Sequence, residues 1–238
     1  MGRAKVLQSV QPVERFDTLA ERAYAQLRTA LMNGSFLPGQ KLTIRKLAAL
    51  LGISATPARD AISRLVSERI LETDANRNVS VPLPDVERLQ EIYVVRIALE
   101  GPAAALGTPR LTDDEIDRLE RIQTALVDAM DRKDYADVLA NNRDFHFTIY
   151  RASGVELLNQ TIEQLWLKLG PSLNLLYPAY NHSRTGVHNH RDVLAGLRRR
   201  DGAAVRAAIE QDLKDGVIEL SRSLTDSYGG RSAGAGAG

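Results

Sequence analysis

Apolar residues return every three or four positions along most of the chain. The breaks in that rhythm mark out nine helical segments and one short β-patterned stretch. In Leu19–Met32, Ala23, Leu27, Ala30 and Leu31 fall on one stripe. The pattern stops at Asn33 and Gly34, and residues 37–40, Leu-Pro-Gly-Gln, read as a turn. A short helix over residues 43–51 follows, then Gly52, then a helical stretch over residues 53–69. Ala58, Ala61, Ile62, Leu65 and Val66 give that stretch one apolar face, and Arg59, Ser63 and Arg64 occupy the other. Ser54 and Thr56 offer N-cap hydroxyls, and Pro57 suits a first helical position. Residues 70–73 and 79–81 have β character, and the polar residues 74–78 between them read as a hairpin loop.

Helix, glycine turn, helix and then a hairpin make a winged helix-turn-helix. In that motif the second helix of the pair enters the DNA major groove with its N-terminal residues nearest the bases. A helical hairpin buried in an all-α core gives the same two-helix pattern, so the motif alone leaves both readings open. Pro82, Leu83 and Pro84 punctuate the chain, and everything after them is helical in pattern. Six helices are expected at about 85–106, 112–132, 134–152, 157–177, 183–200 and 202–224, the fourth broken at Gly170 and Pro171. Thr112 opens the second of these with a capping residue and a run of acids in the first turn. The expected fold is mainly α: a winged helix-turn-helix, then an all-α six-helix bundle. The division is an arm at 1–18, a DNA-binding domain at 19–83, a helical domain at 84–226 and a disordered Gly/Ala-rich tail at 227–238.

Composition narrows the class. The chain has 238 residues, 44% hydrophobic and 26% charged, as ordinary globular proteins do. It has no cysteine, which excludes disulfides and Cys-ligated zinc and fits a reducing compartment. The opening residues lack the apolar core of a secretory leader, and no run approaches the roughly 18 apolar residues of a membrane span. A cytoplasmic protein is expected. The formal net charge of +1 conceals an asymmetry: residues 1–83 carry 12 Lys/Arg and 7 Asp/Glu, the remainder 19 and 23. A basic first third points to a polyanion such as double-stranded DNA. Arg77, at the tip of the hairpin, is placed to reach a phosphate or the minor groove.

Bundles hold ligands and metals with side chains projecting inward from facing helices. On the third bundle helix Val138, Leu139, Phe145 and Ile149 mark a buried face that also carries Asn142 and His146, four residues apart. His190 precedes Val193, Leu194 and Leu197 on the fifth, and Asp212 follows Val205, Ala208 and Ile209 on the sixth. Two imidazoles, a carboxylate and an amide oxygen aimed inward would hold a divalent metal. Imidazole suits zinc or nickel, and oxygen ligands favour harder ions such as manganese. The bland reading makes each a hydrogen-bonded core residue. Burying the set without shared partners would cost about 1–3 kcal/mol for each unsatisfied group. Arg96 and Glu100 stand four apart, either as a helix ion pair or with Arg96 turned inward to clamp a carboxylate effector.

Two stretches carry a family resemblance. KLTIRKLAALLGISATPARDAISRLVSERIL resembles the DNA-binding domain of GntR-family transcriptional regulators. NRDFHFTIYRASG and HRDVLAGLRRRDGAAVRAAIEQDL resemble the FCD effector domain of its FadR-type branch, and the six-helix count favours the VanR-like subgroup. The resemblance spans about residues 15–225. It implies a homodimeric transcription factor that binds a palindromic operator and responds to a small organic acid, and no enzyme. It also implies that Arg45 and Arg59 meet DNA, while Ala55 stands where the family has a third arginine. Arg64 and the hydroxyls of Ser54 and Thr56 complete the expected contact set. Asn78 falls where the family often has glycine. The family's metal ligands are Asp or Asn, a His four later, and two more His. Asn142, His146 and His190 match, and Asp212 stands where the last His belongs. In the family the metal holds the effector's carboxylate. Two alternatives remain at this stage: a regulator that senses the metal itself, and a metal-dependent enzyme in which His146, His190 and Asp212 activate water. The enzyme lacks a general base beside the ligands and leaves the basic domain without a role.

Overall fold

The computed structural model describes residues 18–75, 78–83, 85–176 and 184–228. Helix α1 (Leu19–Met32) opens on a capping box: the Thr18 side chain accepts from the Glu21 N–H, and Glu21 reaches back to the Thr18 N–H. Helix α2 (Ile44–Leu51) is capped by the Thr43 side chain and ends at Gly52, whose φ of 64° is the left-handed turn that glycine allows. Helix α3 (Ala55–Ser67) follows at once. Ser54 is its N-cap, but the Ser54 hydroxyl makes no capping bond, and Pro57 takes the third helical position rather than the first.

Three two-residue strands, β1 (Lys41–Leu42), β2 (Glu72–Thr73) and β3 (Val79–Ser80), form an antiparallel sheet in the order β1-β3-β2. The hairpin was legible in the sequence; β1 was not, because two residues show no period. Ile70 and Leu71, read as strand, are buried core residues preceding β2. The wing residues Asn76 and Arg77 lie outside the described residues.

The bundle comprises α4 (Val86–Gly107), α5 (Asp113–Arg132), α6 (Tyr135–Arg151), α7 (Glu156–Leu173) with a 3-10 turn (Asn174–Leu176), α8 (Thr185–Arg198) and α9 (Gly202–Tyr228). Helix α9 packs on α4 and α8, α5 on α6 and α8, and α7 on α4, α6 and α1. The expected break at Gly170 and Pro171 is absent: α7 runs through both. Gly170 serves packing instead. A Cβ there would collide with the Leu31 carbonyl oxygen and stand 2.8 Å from the Met32 Cα, so the glycine lets the end of α1 lie directly on α7.

That contact joins the two halves. One apolar core runs continuously from Ala23, Leu27 and Leu31 in α1 to Trp166 and Leu169 in α7. Polar ties flank it: Arg28 pairs with Glu163 at 3.3 Å, Arg143 of α6 donates to the Asn33 side chain, and the Asn174 amide donates to the Gly34 carbonyl at 2.5 Å. Among the described residues no helix is long and apolar enough to cross a membrane.

Candidate functional site

The buried stripe of α6 carries His146 inward, α8 carries His190, and α9 carries Asp212. Both imidazoles are 1% exposed. His146 Nε2 lies 3.2 Å from His190 Nε2 and 3.4 Å from Asp212 Oδ2. One ligand atom from each of the three residues lies within 4.8 Å of the others. Phe145 stacks on the His190 ring at 4.1 Å and fixes its plane.

The neighbours decide which ring nitrogens carry protons. Glu100, fully buried, accepts from Arg96 Nε at 2.6 Å, Arg96 Nη2 at 3.2 Å, Tyr150 Oη at 2.7 Å and Trp166 Nε1 at 3.1 Å. Burial and the Glu100 charge push the Tyr150 hydroxyl well above its ordinary pKa, so it stays a donor to that carboxylate. Its oxygen then accepts from His146 Nδ1 at 3.0 Å, and in that tautomer Nε2 is the lone-pair side of the ring. His190 Nδ1 lies 2.7 Å from Gln123 Oε1 and donates to it, leaving its own Nε2 bare as well. Burial, outweighing the attraction of Asp212, drives the His190 pKa down to about 3.

Two lone pairs and a carboxylate oxygen therefore face one another, three acceptors without a donor. A cation among them removes the repulsion. For Asp212, burial pushes the pKa up, but in the absence of a cation a proton on the facing side of the His146 or His190 ring, together with the Asn189 amide, outweighs it and holds the carboxyl below its ordinary value. Gln123 Nε2 is buried and has no partner among the described residues. Turning that amide over would put its NH2 on His190 Nδ1 and let His190 Nε2–H donate to His146; the orphan would then be the amide oxygen. The cluster thus has two consistent hydrogen-bond states, one for a bound cation and one without.

Beside the cluster lies a cavity of about 50 Å3, lined among others by Tyr93, Arg96, Asn142, His146, Trp166 and Asp212. Asn142 faces it one turn before His146, as the spacing predicted. Arg96 is ion-paired to Glu100, as the first sequence reading had it, and it also lines the cavity. Its guanidinium carbon sits 4.8 Å from the Tyr93 ring centre and 4.6 Å from that of Trp166. Sequence reasoning missed Gln123, Tyr150 and Trp166. Tyr150 stands one turn after His146, Gln123 lies on the apolar stripe between Leu119 and Leu126, and Trp166 is the chain's single tryptophan.

In the winged domain, Arg45, Ser54, Thr56 and Arg59 are exposed, and their side chains make no hydrogen bond or ion pair with other described residues. Arg64 differs from that expectation. Its guanidinium carbon lies 3.8 Å from the Tyr24 ring centre and its Nε 3.1 Å from Glu68, while the Tyr24 hydroxyl also donates to Glu68 at 2.6 Å. Arg64 thereby ties α3 to α1 and is not a free cation. Arg77 lies outside the described residues.

Comparison with known proteins gives a consistent result. The family profile described as "Bacterial regulatory proteins, gntR family" matches residues 19–81, and that described as "FCD domain" matches residues 91–215. The chain is 33% identical over 196 residues to the HTH-type transcriptional regulator McbR of Escherichia coli (strain K12), covering 82% of this chain and 89% of that one. It is 31% identical to the Nta operon transcriptional regulator of Aminobacter aminovorans, covering 81% and 92%. The solved structure of E. coli McbR/YncC superposes with a TM-score of 0.80 at 31% identity, over 86% of this chain and 98% of that one. A GntR transcriptional regulator from Rhodococcus sp. RHA1 shares the fold at a TM-score of 0.71 and 19% identity, over 84% and 96%.

Proposed function

The chain belongs to the GntR family of bacterial regulatory proteins, with an FCD domain behind the winged one, and from that premise we propose a repressor that leaves its operator when a small organic acid binds beside a metal ion. It is a DNA-binding transcriptional regulator and not an enzyme. The finer reading is a cytoplasmic homodimer on a palindromic operator, with residues 19–83 reading DNA and 84–226 sensing the acid. Val94 and Val95, exposed on α4, are apolar surface for a second copy to cover.

One observation carries the sensing half: the meeting of His146, His190 and Asp212, all acceptors, beside a cavity that Arg96 also lines. Two imidazole nitrogens and a carboxylate suit zinc, nickel or manganese, with Asn142 as a further oxygen. When bound, the ion supplies positive charge and an open position for a carboxylate. The residues supply the rest of the charge balance. Arg96 and Glu100 cancel, so Asp212 leaves the metal-free cavity at −1, which repels an acid. A divalent ion turns it to +1. The small volume fits an acid of a few heavy atoms and excludes aromatic or long-chain ones without helix movement.

The same helix gives a route to the DNA. Helix α6 carries His146 into the cluster and, three residues earlier, Arg143 to Asn33 at the end of α1. A ligand that favours one setting of α6 therefore biases how α1 and the reading helix α3 are held. On the DNA side, Arg45 and Arg59 with Ser54 and Thr56 would meet phosphates and base edges, while Arg64 holds α3 in place.

The test begins with selection of an operator from random duplexes, followed by fluorescence anisotropy. Chelator-treated protein should bind the operator. Acetate or a similar small acid should weaken binding only after zinc, nickel or manganese is restored. Arg59→Ala should weaken binding by about tenfold or more and make its salt dependence shallower by about one ion. Failure to bind any selected duplex would remove the DNA reading. The small cavity also favours a second reading, in which metal alone is the signal; it prevails if metal without acid shifts the DNA affinity.

A further inference from the structure

A second cleft, of about 440 Å3, opens where the winged domain meets the bundle. Its walls come from both halves: Val66, Ile70 and Leu71 after and within the end of α3, and Ile92 of α4, form an apolar floor. Around it stand three cations, Arg69, Arg88 and Lys168. Arg88 is matched by Glu91 at 2.6 Å. Arg69 and Lys168 have no ion-pair partner among the described residues. Of the two acids in the wall, Asp85 caps α4 by accepting from the Arg88 N–H at 2.6 Å, and Glu72 accepts from the Ser80 hydroxyl at 3.4 Å. Lys168 records the imbalance. Its ammonium is held below its ordinary pKa by burial first and then by the charges of Arg88 and Arg69, with no acid opposing them.

We propose that this cleft is a binding site for an aryl or alkyl phosphate monoester, its dianionic head between Arg69 and Lys168 and its apolar body on Ile70, Leu71 and Ile92. Two unmatched cations answer a group that carries nearly two negative charges at neutral pH. The apolar floor answers an ester rather than free phosphate. The cavity of about 50 Å3 beside His146 has no room for such a molecule, so the two sites take different ligands. Because the walls belong to both domains, an occupant holds them in one relative setting and makes the cleft a second input to DNA binding. That consequence rests on the regulatory reading above; the binding itself does not.

Phenyl phosphate is a suitable probe, titrated calorimetrically into the full chain beside inorganic phosphate and phenol. Phenyl phosphate should bind at least about tenfold more tightly than either, since each of them offers only half of the contacts. Lys168→Met and Arg69→Gln should each weaken it by about five- to tenfold, with Lys168→Arg restoring affinity and the melting temperature unchanged. His190→Gln should leave it untouched. Inorganic phosphate binding as tightly as phenyl phosphate, or Lys168→Met binding as tightly as the natural chain, overturns the proposal. So does a flat titration to millimolar concentration, and in that case a loss of operator affinity in Lys168→Met assigns these cations to DNA phosphates instead.

Discussion

Gln123 decides how the two histidines present themselves. With its oxygen on His190 Nδ1 it fixes the tautomer that leaves Nε2 free, the role that an outer hydrogen-bond partner plays for a ligating imidazole. Gln123→Leu removes that partner and should weaken zinc binding by about 10- to 100-fold with little change in fold, as measured by competition against a chromogenic chelator. Glu100 has a different part. It neutralises Arg96 and gathers donors from α4, α6 and α7 into one buried carboxylate. Glu100→Gln leaves Arg96 charged and uncompensated, and should cost about 3–5 kcal/mol in urea unfolding. The sequence displayed Asn142, His146, His190 and Asp212 because each interrupts a helical stripe of apolar residues. Gln123 interrupts one too, but a single amide on an apolar face has no spacing partner to set it apart. Its meaning appears only when α5 is laid against α8.

Elements were more legible than their endings. Period located α1, period and capping together located α5, and the α5 cap has a measurable consequence. The Glu115 carboxyl is held below its ordinary value of 4.5 by bonds from the Thr112 N–H and hydroxyl. A carboxyl lowered in the folded state adds stability that is present above its unfolded pKa and lost as pH falls through the lower folded one. Unfolding from pH 6 downward should therefore show Glu115→Gln less stable than the natural chain above pH 4.5, with the gap narrowing below it. An unchanged gap down to pH 3 would dismiss the cap as the source. Helix α7 was misjudged for a physical reason. Gly170 and Pro171 signal a stop when only local propensity acts, yet α7 carries only Ser172 and Leu173 past the proline, so a single helical bond is forfeited close to the natural end, and the glycine is there to admit α1. Strand β1 escaped notice because its existence depends on pairing with β3, Lys41 opposite Ser80 and Leu42 opposite Val79, and not on any local pattern.

At the scale of the molecule, the charge asymmetry announced two halves with different tasks, and the structure adds how they are fastened. No pattern within either half foretells that Arg143 will meet Asn33, or that Asn174 will reach Gly34. Those contacts arise between segments more than a hundred residues apart. They also locate where ligand binding and DNA binding would be separable. Arg143→Ala should leave metal affinity within about twofold while reducing the effect of acid on operator affinity by about fivefold or more, a coupling loss of roughly 1 kcal/mol. Equal acid responses in the variant and the natural chain would place the linkage elsewhere.

The double attachment of α6 has a practical corollary. His146 and Arg143 sit within one turn of the same helix, so whatever steadies that turn is felt as added heat resistance by the entire fold. Candidate inducers could therefore be ranked in a plate of dye-monitored melts, before any promoter is known.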